Sequence, residues 1–250
     1  MRRIAASGIL LAGLLPAPAA EPVRASPAQA TTVTFYDQGF ALVQELRRVV
    51  LRTGENEVVL DGLPRTTDPA TTAFTVTAGV KSLDLLEQSF RAQQQPSAEL
   101  RWVLKSPADG FANLRLSYRA DRLTWSASHE LVLGATDAPA RLSTRVGLGN
   151  ESGHSLSNAR VRLAVTERGG ADRLPAETGI ASNAAALRHA YGGEEALPNR
   201  LVAGLSVLQT FELPVTVTLE AGVSRYVPWI ESSRLHVRRF HVYDGVRFDR

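Results

Sequence analysis

Apolar and polar side chains alternate along residues 114–133. The apolar ones fall on alternate positions, namely Leu114, Leu116, Tyr118, Leu123, Trp125, Ala127, Leu131 and Leu133. This spacing is the period of a β-strand with one buried face. The segment Ala120-Asp121-Arg122 interrupts the alternation and predicts the turn of a hairpin.

Shorter alternating stretches, separated by turn-forming residues, run through most of the chain. They predict strands at 33–36, 41–51, 56–60, 72–77, 80–90, 100–104, 142–148, 161–165, 207–213, 215–219, 225–230 and 234–243. Within 41–51 we expect Leu42, Leu46 and Val50 to share one face, and Val215 to point inward. Pro64 is expected to end a meander, because proline cannot donate to a sheet ladder.

These elements predict an all-β protein, an antiparallel β-sandwich built from two β regions. The glutamine-rich segment 91–97 separates an N-terminal region, 32–93, from a sandwich domain, 97–250. Residues 167–205 lack alternation and predict an irregular insertion with at most one short helix, at 184–190. The arginines that alternate with apolar residues on 141–146 and 160–163 predict a solvated outer surface.

The first residues have the pattern of a secretory signal peptide. Arg2 and Arg3 precede an apolar run, 4–15, and small residues follow up to Ala19. That run would span about 18 Å as a helix, too short for a bilayer core of roughly 30 Å. We therefore expect a signal peptide at 1–19, a flexible lead-in at 20–31, and an exported protein, periplasmic or extracellular.

Composition narrows the function classes further. The chain has no cysteine, so neither a disulfide nor a lipidated N-terminal cysteine can form. Removal of Arg2 and Arg3 lowers the formal charge from +3 to +1, and the basic residues are dispersed. A basic pI of 9.6 therefore does not indicate nucleic-acid binding. No later apolar run is long enough for a membrane-spanning helix.

Several segments resemble a bacterial envelope family that carries a domain of unknown function related to mucoidy-inhibitor proteins. They are residues 33–45 (VTFYDQGFALVQE), 54–56 (GEN), 61–64 (DGLP), 99–102 (ELRW), 114–118, 123–125, 150–153 (NESG) and 158–163 (NARVRL). The resemblance implies an envelope β protein and assigns no catalytic residues. Compared with that family, the chain has a shorter segment between Phe90 and Glu99 and stops early, at Arg250.

Candidate metal ligands and bases are few. His129 and Glu130 are adjacent, but neighbours on a strand point to opposite faces, which favours an edge or core histidine. His236 and His241 are also on opposite faces, and His154 and His189 are in predicted loops without a partner at metal-ligand spacing. We therefore assign no metal-binding, cofactor-binding or catalytic residue and expect no cofactor.

Other chemistry receives little support from motifs. Ser152, His154 and Ser155 supply residue types for a triad, but no G-x-S-x-G elbow is present. Glycoside cleavage would need a pair of carboxylates, and no sequence feature selects two among Asp121, Glu130 and Glu151. Among the aromatic residues, we expect Trp102, Tyr118 and Trp125 to lie in the core and Trp229 to be exposed.

We therefore expect an exported, non-catalytic binding or structural module of the bacterial cell envelope. Its partner would be an envelope protein, whose strand pairs with open strand edges, or a polysaccharide. The sequence does not determine its oligomeric state. The alternatives are a hydrolase that acts on envelope polymers and a truncated relative without function.

Overall fold

The computed structural model describes residues 21–92, 97–135, 139–166 and 207–237, and these residues form strands and turns without a helix. The thirteen strands are β1 (Val23–Arg24), β2 (Ala30–Tyr36), β3 (Phe40–Leu51), β4 (Gly54–Pro64), β5 (Thr67–Gly79), β6 (Asp84–Ala92), β7 (Ser97–Ser106), β8 (Gly110–Asp121), β9 (Leu123–Val132), β10 (Ala140–Asn150), β11 (Leu156–Thr166), β12 (Val207–Leu219) and β13 (Val223–Leu235). The prediction of an all-β sandwich is confirmed.

The strands form three sheets. One has six strands in the order β12-β11-β2-β3-β8-β5, one has four in the order β1-β4-β7-β6, and one has three in the order β13-β10-β9. Neighbours are antiparallel except for two parallel pairs, β1 with β4 and β11 with β2. The predicted purely antiparallel arrangement therefore has two exceptions.

A single hydrophobic core joins the three sheets. Val43 and Leu116 from the six-stranded sheet belong to the same buried cluster as Trp102 from the four-stranded sheet and Leu148 and Val227 from the three-stranded sheet. The smaller sheets thus supply the apolar surface that covers the larger one, as in a sandwich. The predicted core positions Trp102 and Tyr118 are fully buried, and Trp125 packs against this core.

The predicted hairpin around Asp121 is wrong, because the chain crosses between sheets there. β8 pairs with β3 and β5, whereas β9 pairs with β10. Arg122 has φ of 61°, and its N–H donates to the Gly39 carbonyl at 3.1 Å, so this corner is anchored to another loop. Alternation looks the same in a hairpin and in a sheet-switching corner, because only long-range pairing distinguishes them. β3 and β4 switch sheets in the same way, so 41–60 is not a meander.

Strands on the two sides of residues 93–96 share sheets. β2, β3 and β5 lie in one sheet with β8, β11 and β12, and β4 and β6 flank β7. The N-terminal lead-in also contributes: Val23 and Arg24 pair with Val58 and Val59, and β2 already begins at Ala30. Both halves of the sequence are therefore needed to complete the same sandwich.

Two predicted orientations are wrong. Val215 is 50% exposed, although it was expected to point inward. Val215 lies where the β11–β12 register shifts, and such an irregularity redirects side chains. Trp229, expected to be exposed, instead packs edge-on against Phe211 with ring centroids 5.2 Å apart.

β12 is one long strand, where the sequence suggested two. β13 covers the predicted strand 225–230 and ends at Leu235, and most of the predicted strand 234–243 lies outside the described residues. Pro214 stays within β12 because that strand lies at the edge of its sheet. The predicted signal peptide, the helix at 184–190 and the rest of the 167–205 insertion lie outside the described residues.

Candidate functional site

The core-facing side of β3 carries two opposite charges. Along this side the residues are Ala41, Val43, Glu45, Arg47, Val49 and Leu51, and all six are buried. The residues predicted to share a face, Leu42, Leu46 and Val50, lie on the other side of β3, which also carries Arg48. Glu45 and Arg47 therefore lie inside the sandwich.

These two side chains form a buried, charge-assisted network with a tyrosine. Arg47 Nε and Nη2 donate to Glu45 Oε2 at 2.7 and 2.6 Å, and the two side chains are only 4% and 2% exposed. Tyr118 Oη donates to Glu45 Oε1 at 2.8 Å. Burial, followed by the charge and hydrogen bond of Glu45, raises the pKa of Tyr118 well above its usual 10.0. The phenol therefore remains a donor to the carboxylate.

A register irregularity in β4 completes the cation's surroundings. The pairing of β4 with β7 shifts between Leu60 and Leu63, and Gly62 takes φ of 75°. This irregularity turns the Asp61 carbonyl toward Arg47, whose Nη1 donates to it at 2.7 Å. A β carbon at Gly62 would lie 3.5 Å from the His154 ring, so the backbone here lies close against that imidazole.

His154 is held by a hydrogen-bonded turn between β10 and β11. The buried Asn150 amide donates to the carbonyls of His154 and Leu219 at 2.8 Å each, while its oxygen accepts from the N–H and hydroxyl of Ser152. Gly153 supplies the positive φ, 82°, that the turn needs. The NESG segment thus fixes the backbone that presents His154.

Glu45, Arg47 and His154 line an open cleft of about 440 Å³. The remaining lining comes from Arg24, Ala25, Pro27, Ala28, Thr31, Asp61, Gly62, Ser155, Leu156 and Ser157. Partial burial is the main cause that lowers the pKa of His154 from 6.5, with Glu45 opposing and Arg47 reinforcing the shift. His154 is therefore a neutral imidazole at pH 7, with one donor and one acceptor nitrogen.

The N-terminal segment forms one wall of this cleft. The Ala25 N–H donates to the Val59 carbonyl at 2.9 Å, and the Ser26 N–H donates to the Arg48 carbonyl at 2.8 Å. Arg24 also forms an ion pair with Asp61 at the rim. These contacts fix residues that the sequence suggested were a flexible lead-in.

The histidine-glutamate pair on β9 lies elsewhere. His129 Nδ1 is 2.8 Å from the hydroxyl of Thr144, and Glu130 is exposed near Ser143 on the opposite face. β9 is an edge strand of its sheet, in agreement with the expectation of an edge or core histidine. No group of three or more potential metal-ligating side chains is present among the described residues.

The serine hydroxyls near His154 are already engaged in the fold. Ser152 Oγ donates to Asn150 Oδ1 at 2.7 Å, and Ser155 Oγ accepts from the Ala221 N–H at 3.0 Å. His236 is exposed, and His189 and His241 lie outside the described residues. The structure therefore brings together Glu45, Arg47 and His154, and of these only His154 was considered from sequence.

Four segments that carry the family resemblance meet at the cleft or its floor. Residues 33–45 end at Glu45, residues 61–64 contain the Asp61-Gly62 irregularity, residues 114–118 end at Tyr118, and residues 150–153 form the turn before His154. A signal for the site was present in the sequence, since Glu45 and Arg47 interrupt an otherwise apolar alternation. The interruption indicates a buried charged pair only once it is known that this face of β3 lies inside the sandwich.

Comparisons with known proteins add no relative: no family model matches the chain, and neither a curated protein nor a solved structure does. The described residues include no helix with the length and apolar character of a membrane span. The mucoidy-inhibitor-like resemblance stays a prediction from sequence.

Proposed function

We propose that the chain is an exported, non-catalytic binding module of the bacterial cell envelope, and that the cleft beside His154 is its binding site. The observation that carries this proposal is a charged pair held rigidly at the floor of an open cleft. Glu45 and Arg47 are fixed by Tyr118 and by the Asp61 carbonyl. Fixed polar groups in a concave site are typical of ligand-binding pockets.

The geometry favours binding over hydrolysis. The Glu45 carboxylate already accepts hydrogen bonds from Tyr118 and Arg47. The hydroxyls of Ser152 and Ser155 are engaged by Asn150 and by the backbone of Ala221. A hydrolytic nucleophile would need a base within hydrogen-bond reach. The described cleft residues do not pair a serine hydroxyl with His154.

Export and envelope location rest on the N-terminal pattern, with Arg2 and Arg3 before an apolar run and small residues up to Ala19. They are tested by fusing residues 1–30 to a reporter enzyme that is active only after export. We expect reporter activity that is lost when the apolar run is interrupted by charged residues. An inactive reporter with the intact leader would contradict the proposed location.

Binding is tested by sedimenting the purified mature chain with isolated cell envelopes. We expect the protein to pellet, and Ala28→Phe, which fills the cleft at an exposed position, to reduce the pelleted fraction. His129→Ala is the matched control, because His129 is exposed on β9, away from the cleft. A chain that stays in the supernatant, or that pellets equally with Ala28→Phe, would refute a binding role for the cleft.

A further inference from the structure

The charged groups at the cleft cancel in pairs. Arg47 is bound to Glu45 at its floor, and Arg24 is bound to Asp61 at its rim. The fifth titratable group, His154, is neutral at pH 7 because partial burial disfavours its charged form. A ligand in this cleft therefore meets no uncompensated charge, which disfavours a strongly anionic or cationic ligand.

The cleft nevertheless contains hydrogen-bonding groups of Arg47 and His154 that the described residues leave unused. A guanidinium has five N–H groups, and three of those on Arg47 are used by Glu45 and the Asp61 carbonyl. One N–H on each terminal nitrogen has no acceptor among the described residues, although the side chain is 4% exposed. The imidazole of His154 likewise has no hydrogen-bond partner among the described side chains and adds one donor and one acceptor.

Buried donors without a protein partner are costly unless a water or ligand satisfies them. Hydroxyls of Thr31, Ser155 and Ser157 and the apolar surfaces of Pro27 and Leu156 complete the lining. Donors and acceptors are thus interspersed around an open space of about 440 Å³, within the roughly 300–1,000 Å³ of small-molecule sites. This surface matches a ligand with many uncharged donors and acceptors and a partly apolar ring.

We infer that the cleft between the Glu45–Arg47 pair and His154 binds an uncharged saccharide. The sugar hydroxyls, and the amide of an N-acetylated sugar, would take the remaining N–H groups of Arg47 and both ring nitrogens of His154. The inference rests on the proposed binding function and adds the chemical class of the ligand.

The test uses the purified mature chain and N,N′-diacetylchitobiose as the uncharged probe, followed by NMR and isothermal titration calorimetry. Galacturonate disaccharide, inorganic phosphate and a neutral tripeptide amide are the comparison ligands. We expect the uncharged sugar to bind, to shift the His154 ring signals, and to bind about tenfold more weakly in His154→Ala, the loss of roughly one good hydrogen bond. His129→Ala should leave the affinity unchanged.

Ala28→Phe and Ser157→Phe provide a second pair of variants that block the cleft from two sides. Each must show a cooperative thermal melt, so that lost binding reports the cleft and not unfolding. Binding of galacturonate, phosphate or the peptide amide in preference to the sugar would overturn the ligand class while leaving the binding module intact. Sugar binding that persists in both blocked variants would overturn the site, and failure to sediment with envelopes would separately overturn the proposed function.

Discussion

The buried pair of Glu45 and Arg47 gives the sharpest test of the structure. Arg47→Met removes the cation and leaves the carboxylate of Glu45, 2% exposed, with only Tyr118 as a partner. Breaking one partner of a buried ion pair costs about 3–5 kcal/mol, because the remaining charge is desolvated without compensation. For a chain of this length that loss lowers Tm by about 6–20 °C, at roughly 2–4 °C per kcal/mol.

Replacing the whole network should reverse most of this loss. Glu45→Leu/Arg47→Met/Tyr118→Phe removes all three polar side chains of the network, and such replacements are neutral or stabilising by about 1–4 kcal/mol in other proteins. Tyr118→Phe alone should cost about 1.5–3 kcal/mol, the contribution of a hydrogen bond to a charged group. The triple variant should also lose ligand binding, since its cleft lacks the Arg47 guanidinium.

The assay is urea denaturation monitored by far-UV circular dichroism. The slope m is compared among variants, because a shifted midpoint with an unchanged m reports a change in stability alone. Arg47→Leu serves as a second single variant of different shape. A cost below about 1 kcal/mol for both single variants would mean that the pair is solvated, as expected for surface ion pairs, and would refute the buried arrangement.

Three further predictions concern the turn, the histidine and a glycine. Because burial lowers the pKa of His154 below 6.5, the folded state binds its proton less readily than the unfolded state. The stability contributed by neutral His154 is therefore fully present above pH 6.5 and is lost as the pH falls. Below pH 6.5, the unfolding free energy of His154→Gln should depend less steeply on pH than that of the wild type. Asn150→Ala should cost about 3 kcal/mol by urea denaturation, since its buried carbonyl and N–H partners lose their hydrogen bonds. Gly79→Ala should prevent folding or lower Tm far more than Gly39→Ala. Both glycines have positive φ, but only at Gly79 would the added β carbon lie 1.9 Å from a backbone oxygen, the Phe111 carbonyl. Equal effects of the two substitutions on Tm would contradict this contact.

The site was only partly accessible from sequence. His154 stood out as a chemical group, yet its neighbours come from β3 and β4, more than ninety residues earlier in the chain. Glu45 and Arg47 were not among the candidate residues, because charged residues are ordinary on a strand that has one solvated face. Both faces of β3 contain buried residues, including Leu42 and Val43. Alternation alone therefore cannot identify which face lies in the sandwich.

The sequence by itself determined the fold class, because alternation with period two is a local property that predicts strands wherever it occurs. It also determined where many turns lie, for example Asp37–Gly39 and Gly153, since glycine permits positive φ. Only the tertiary structure decided that β8 and β9 separate into different sheets and that β11 lies parallel to β2. These pairings depend on contacts distant in sequence, and the same contacts bring Glu45, Asp61 and His154 to one cleft.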